Sequence, residues 1–110
     1  MKQAEIWYAD LNPNIGSEQA GYCPVLIISG NTLNKYLNII IACPLTTQIK
    51  NYKGNLVIEP TALNGLVTKS EILTFYIRSI SKDRLIKKVG SITDDELEHI
   101  KKGLDDILRY

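Results

Sequence analysis

Apolar residues come in short bursts punctuated by turn formers over the first 90 positions, then recur at helical spacing toward the end. Glu5 to Leu11 (EIWYADL) mixes aromatic and aliphatic residues as a strand does, and runs into the turn signal Asn12-Pro13-Asn14-Ile15-Gly16. A polar, glycine-bounded loop follows, Ser17 to Gly21. Pro24 then opens Val25-Leu26-Ile27-Ile28, a continuous apolar run of the kind a fully buried strand carries. Gly30-Asn31 ends it. A second run, Leu37 to Ala42, is expected to stop at Pro44, and a third, Asn55 to Glu59, at Pro60. Glu71 to Ile80 alternates loosely and reads as one more strand. Such spacing predicts a small antiparallel barrel or sandwich.

The tail changes period. Thr93 followed by Glu96 forms a capping box, with Asp94 and Asp95 where the helix dipole favours acids. Leu97, Ile100, Leu104, Ile107 and Leu108 make one apolar stripe, predicting a helix over roughly residues 94–108. Gly103 costs such a helix about 1 kcal/mol relative to Ala, and close packing against the barrel is one reason to keep it. The expectation is a single domain over 1–110, mainly β with a C-terminal helix.

Composition adds boundaries. A chain of 110 residues supports one small core. No apolar run reaches the ~20 residues that span a bilayer, and the first residues lack a signal-peptide stretch, so the expected location is cytoplasmic, without membrane partners. Cys23 and Cys43 fit no metal spacing and no disulfide framework.

The net charge of +1 hides a gradient. Residues 1–34 carry −2, residues 35–90 carry +6, and residues 91–110 carry −3. The basic middle is either a polyanion-binding face or an ordinary solvated lysine surface.

Catalytic parts are few. His99, the only histidine, falls off the helix stripe, which removes two-histidine ribonuclease chemistry and any Ser-His-Asp triad. There is no HExxH, CxxC, P-loop or Rossmann glycine pattern, so neither metal nor cofactor is expected. Two polar stretches flank buried strands: Gly16 to Pro24, and Pro44-Leu45-Thr46-Thr47-Gln48-Ile49-Lys50. Hydroxyls, an amide and a lysine at a strand end suit phosphate oxygens and base edges. The same hydroxyls can instead satisfy their own backbone.

The ordered blocks Glu5-Ile6-Trp7-Tyr8-Ala9-Asp10-Leu11-Asn12-Pro13, Gly16 to Gly21, Pro24 to Ser29, Pro44 to Gln48, and Ile77-Arg78-Ser79-Ile80-Ser81-Lys82-Asp83-Arg84-Leu85 together resemble the MazF/PemK toxin family across essentially the whole chain. The resemblance implies a small SH3-like antiparallel barrel of the PemK/CcdB type with a C-terminal helix. It also implies a homodimer that cleaves single-stranded RNA without a metal by 2′-OH attack on the adjacent phosphate. The implied partners are the RNA, a cognate antitoxin, and operator DNA bound together with that antitoxin. By position in the family pattern, Thr46 matches the phosphate-binding threonine. Ser17, Glu18, Gln19, Thr47, Gln48, Lys50, Tyr76 and Arg78 are candidate RNA-contacting residues.

Two positions depart from that pattern. Cys23 stands where an arginine is expected before Pro24. A thiol with a reference pKa of about 8.5 offers no fixed guanidinium fork, and losing one charge-stabilising donor costs about 100- to 1,000-fold in rate. Three explanations are open: an introduced inactivating change, natural decay to a binding remnant, or another cation such as Arg78 or Lys50 taking over. Phe75 and Tyr76 replace an acid and a glutamine that many members have. Tyr76 either contacts a base, by stacking or through its hydroxyl, or packs in a strand. The alternative function is a non-catalytic module of the same fold that binds RNA, antitoxin or operator DNA. A gyrase poison on the same barrel is disfavoured, because the chain ends Leu108-Arg109-Tyr110 and its only tryptophan is Trp7.

Overall fold

The computed structural model describes residues 1–11 and 21–110. The turn and loop expected between Asn12 and Ala20 lie outside the described residues, as do the candidates Ser17, Glu18 and Gln19.

Among the described residues, seven strands make one antiparallel sheet: β1 (Glu5–Asp10), β2 (Tyr22–Ile27), β3 (Ile39–Thr46), β4 (Leu56–Ile58), β5 (Ser70–Ile72), β6 (Arg78–Ser81) and β7 (Leu85–Ser91). Their order is β4-β5-β3-β2-β1-β7, with β6 also paired to β3. Helix α1 (Asn31–Tyr36) links β2 to β3, and α2 (Asp94–Arg109) closes the chain. This is the expected barrel-like β fold with a terminal helix.

The apolar run in β2 behaves as a strand buried on both faces. Leu26 joins a core with Ile6, Cys43, Leu45, Ile58, Ile72, Leu97 and Ile100 beneath α2. Val25 and Ile27 point the other way, into a core with Ala9, Leu11, Cys23, Ile40, Ala42, Ile80 and Leu85. Strand β1 keeps the alternation of a strand with both faces covered: Ile6 enters the core beneath α2, and Ala9, three residues on, enters the other. Register shifts between Ile6 and Trp7 and between Tyr8 and Ala9 leave Val89 and Ile86 of β7 without an opposite residue in β1, so the bulges fall on β7.

Proline positions differ from expectation. Strand β2 starts at Tyr22, two residues before Pro24, and its ladder to β3 begins only at Val25. Strand β3 does not stop at Pro44 but runs through it to Thr46. Pro44 sits where β3 changes partner, from Arg78 of β6 opposite Ala42 to Ile72 of β5 opposite Leu45, so the missing N–H breaks no ladder there. Its carbonyl accepts from Leu73 N at 2.9 Å.

The single strand expected over Glu71–Ile80 is in fact β5, a 3-10 turn at Thr74–Tyr76, and β6. The break is held by Asn55, whose side-chain oxygen accepts from Thr74 N at 3.1 Å. Helix α1 and strand β7 were not foreseen in the pattern. In α2 the capping box of Thr93 and Glu96 is formed in both directions. The stripe is buried only in its first part: Leu97 and Ile100 are enclosed and Leu104 is half-buried, while Ile107 and Leu108 are exposed. Gly103 meets the loop between β3 and β4, where an added Cβ would lie 2.6 Å from the Gly54 carbonyl oxygen.

Candidate active site

The end of β3 carries the polar block. Carrying the β2–β3 register (Val25 opposite Pro44) two residues further sets Cys23 across from Thr46. A hollow of about 320 Å³ lies between them, lined by Tyr22, Cys23, Pro24, Leu45, Thr46, Thr47 and Gln48. Beyond Thr46 and Gln48, which line both, a second hollow of about 140 Å³ is walled by Lys50, Tyr52, Leu73, Phe75 and Tyr76. The two form one groove with Thr46 and Gln48 at the seam. Cys23, Thr46, Thr47, Gln48, Lys50 and Tyr76 are therefore brought together.

At the seam the Thr46 hydroxyl satisfies its own backbone, the second of the two readings of these hydroxyls. Thr46 Oγ1 accepts from Gln48 N at 3.1 Å, which takes one of the oxygen's two lone pairs and leaves the O–H free to donate a hydrogen bond. That bond also fixes the hydroxyl before any ligand arrives.

Cys23 is nearly enclosed, at 8% exposure. Burial pushes its thiol up to about 11, and the positive charge of Arg78 offsets only part of this. The thiol is thus neutral at physiological pH, supplying neither base nor cation. Arg78 opens β6 opposite Ala42, and its field reaches the cysteine although its side chain is not among the groove's lining residues. Cys43, in the core beneath α2, is pushed up to about 12 by burial alone.

The groove's far wall is organised by a residue the sequence did not single out. Glu71 of β5 is fully enclosed. Its Oε1 accepts from Lys50 N and Asn51 N, both at 2.8 Å, and its Oε2 from Tyr52 N at 2.9 Å and Asn55 Nδ2 at 3.0 Å. Burial works to raise its pKa, but these four bonds together hold the carboxyl below its ordinary value. Three successive amides converge on one carboxylate, and Asn51 takes a left-handed φ of 56° to let them do so. Tyr22, Tyr52 and Phe75 also line the groove without having been among the candidates. The one sequence signal for them was aromatic residues standing next to polar stretches.

His99 is exposed on α2 and lines neither hollow. Among the described residues no group of three or more His, Cys, Asp or Glu is placed to hold a metal ion. No helix among them is long and apolar enough to cross a membrane.

Comparison with known proteins agrees with this architecture. Residues 2–108 match the family described as PemK-like, MazF-like toxin of type II toxin-antitoxin system. The chain is 33% identical over 105 residues to the endoribonuclease EndoA of Bacillus subtilis, covering 94% of this chain and 90% of that protein. It is likewise 33% identical to the endoribonuclease MazF of Staphylococcus saprophyticus, over 96% of this chain and 88% of that one. Among solved structures, MazF from Deinococcus radiodurans superposes with a TM-score of 0.86 at 22% identity, covering 100% of this chain and 97% of that one. A mycobacterial endoribonuclease in complex with its cognate antitoxin has the same fold, with a TM-score of 0.76, 22% identity, and coverage of 98% and 92%. A chain with this fold, matched by the family over nearly its whole length and by named endoribonucleases at one residue in three, belongs to the PemK-like, MazF-like toxins of type II toxin-antitoxin systems.

Proposed function

We propose that this chain is a toxin endoribonuclease that cleaves single-stranded RNA without a metal, with its rate limited by the cysteine at position 23. The observation that carries this reading is the placement of Thr46 at the seam of the groove, across from Cys23 and pre-set by Gln48 N. In the reaction a ribose 2′-oxygen attacks the adjacent phosphorus as its proton departs. The P–O5′ bond breaks and the 5′-oxygen takes a proton, leaving a 2′,3′-cyclic phosphate and a 5′-hydroxyl. The phosphorane between these states bears more negative charge than the diester, so fixed donors and cations aimed at its oxygens accelerate the step.

Thr46 donates a hydrogen bond from its hydroxyl to a non-bridging oxygen. Lys50 and Arg78 supply positive charge to the groove, and Gln48 and Thr47 offer polar atoms to base edges or phosphate. Cys23, held neutral, contributes no charge where the family pattern has an arginine. That deficit lowers the rate by about 100- to 1,000-fold. Unpaired bases lie along the groove and are read on their edges. The protein works as a homodimer in the cytoplasm, and a cognate antitoxin neutralises it by laying an acidic or amphipathic tail in the groove. Toxin and antitoxin together bind operator DNA.

The test is cleavage of a mixed single-stranded RNA in EDTA by the chain with Cys23 and by Cys23→Arg. The expected result is weak cutting by the first and cutting at least 100-fold faster by the second. If Cys23→Arg folds and binds RNA but cuts none, the catalytic reading falls and the binding-module reading takes its place.

A further inference from the structure

The second hollow is too small to engulf a ligand. Its 140 Å³ is below the ~300 Å³ at which pockets begin to enclose small molecules. What it offers instead is aromatic surface. Tyr52 and Phe75 are 48% and 41% exposed, which leaves ring area uncovered. Their rings meet edge to face at 5.2 Å, and Phe75 and Tyr76 lie tilted at 4.8 Å. Beneath them Leu73 is buried, so the core is already sealed without these rings. Thr46, Gln48 and Lys50 give the cluster a polar and cationic rim continuous with the seam at Thr46.

Two segments far apart in sequence carry these rings, and one buried network ties them together. Glu71 gathers the amides of Lys50, Asn51 and Tyr52 and the Asn55 side chain, while Asn55 accepts from Thr74 at the head of the turn bearing Phe75 and Tyr76. The rings are held in place before anything binds, which lowers the ordering cost of binding.

We propose that Tyr52, Phe75 and Tyr76 form a stacking platform for one unpaired base of single-stranded RNA, held in position by Glu71 through Asn55. The inference rests on the ribonuclease reading for its ligand. Every base has a flat face, and unstacked bases in single strands are bound on aromatic rings, whereas a paired base in a duplex has no free face to give. Lys50 on the rim suits the phosphate that follows the stacked base. Phe75 is the contact residue; Glu71 is a positioning residue, since it touches only the network.

The experiment measures binding of a dye-labelled pool of randomised 12-nucleotide strands, 2′-deoxy so that none is cut. Alanine in place of a stacking ring typically costs about 5- to 150-fold in affinity. Phe75→Ala is expected to weaken binding by that factor with unchanged circular dichroism. Phe75→Trp is expected to retain affinity, its indole fluorescence being quenched when the strand binds. Glu71→Gln, assayed cold where it is folded, is expected to weaken binding, and adding Phe75→Ala to it then costs less than Phe75→Ala alone. Binding by Phe75→Ala within twofold of the unsubstituted chain overturns the platform, whatever peptide or other molecule the rings then serve. If the unsubstituted chain binds no strand at all, the ribonuclease reading and the platform fall together. If strands bind and the platform variants behave as expected while Cys23→Arg cuts nothing, only the catalytic reading fails.

Discussion

Glu71→Gln is the perturbation that most directly interrogates the groove wall. The amide has the shape of the carboxylate but only one acceptor oxygen. If that oxygen takes Lys50 N and Asn51 N, the new NH₂ faces two donors, Tyr52 N and Asn55 Nδ2. Flipping Asn55 relieves one clash only by turning its own NH₂ toward Thr74 N, which now uses the Asn55 oxygen. At least one buried N–H is therefore stranded, and the bonds that survive lose their charge. Hydrogen bonds to a charged acceptor contribute about 1.5–3 kcal/mol, and a stranded buried donor costs about 1–3 kcal/mol. A loss of about 3–5 kcal/mol is expected, a large part of the ~5–15 kcal/mol that holds a domain of this size. In urea, with a slope of about 2 kcal/mol/M, the midpoint should fall by about 2 M with the slope unchanged.

The pH dependence supplies the sign. Glu71 has a folded pKa below its ordinary value of 4.5, so its stabilisation is fully present above that value and is lost as pH falls through the lowered one. The gap between the unsubstituted chain and Glu71→Gln should accordingly be widest near pH 7 and shrink toward pH 3. A midpoint shift under 0.5 M (about 1 kcal/mol at that slope), or a gap that stays constant on acidification, would refute the account of Glu71 as the ionised anchor of this loop.

Two further outcomes follow from packing and burial. Gly103→Ala would gain about 1 kcal/mol of helix propensity but drives a Cβ to 2.6 Å from the Gly54 carbonyl oxygen. Overpacking costs about 1–3 kcal/mol, so thermal unfolding should show a lower Tm, and a higher one would mean that the loop yields freely. With thiols pushed up to about 11 and about 12, Cys23 and Cys43 should react with iodoacetamide at pH 8 at least ~100-fold more slowly than free cysteine, read by mass spectrometry. Fast labelling of Cys23 in the folded chain would mean that its site is open and its thiol activated.

Local signals were legible in the sequence and distant pairings were not. The capping box and stripe of α2 involve residues three and four apart, and β2 announces itself as an unbroken apolar run. Pro44 was misleading because its tolerance depends on β3 changing partners, a fact written in β5 and β6. Strand β7 hides because its two bulges against β1 erase alternation and its middle residues Ile86, Lys87 and Lys88 are exposed. Glu71 reads as a solvent-facing charge, since its partners lie 16 to 21 residues away. Cys23 and Thr46 stood out through the ordered family blocks rather than through periodicity. The fold then supplied what the blocks lack: a register that sets the two across from one another.

Runs of successive backbone amides are a common way for proteins to seize phosphate, yet here such a run is already filled by the chain's own carboxylate. The amides of Lys50, Asn51 and Tyr52 are thus taken, and in the proposed reading recognition on that wall falls to side chains. Such a wall can be rewritten one side chain at a time, at Gln48, Lys50, Tyr52 or Phe75, while the anchor keeps the loop's shape. In the proposed ribonuclease, target preference and structural integrity would thereby be carried by different residues, leaving the chain free to drift toward new RNA sequences without putting its fold at risk.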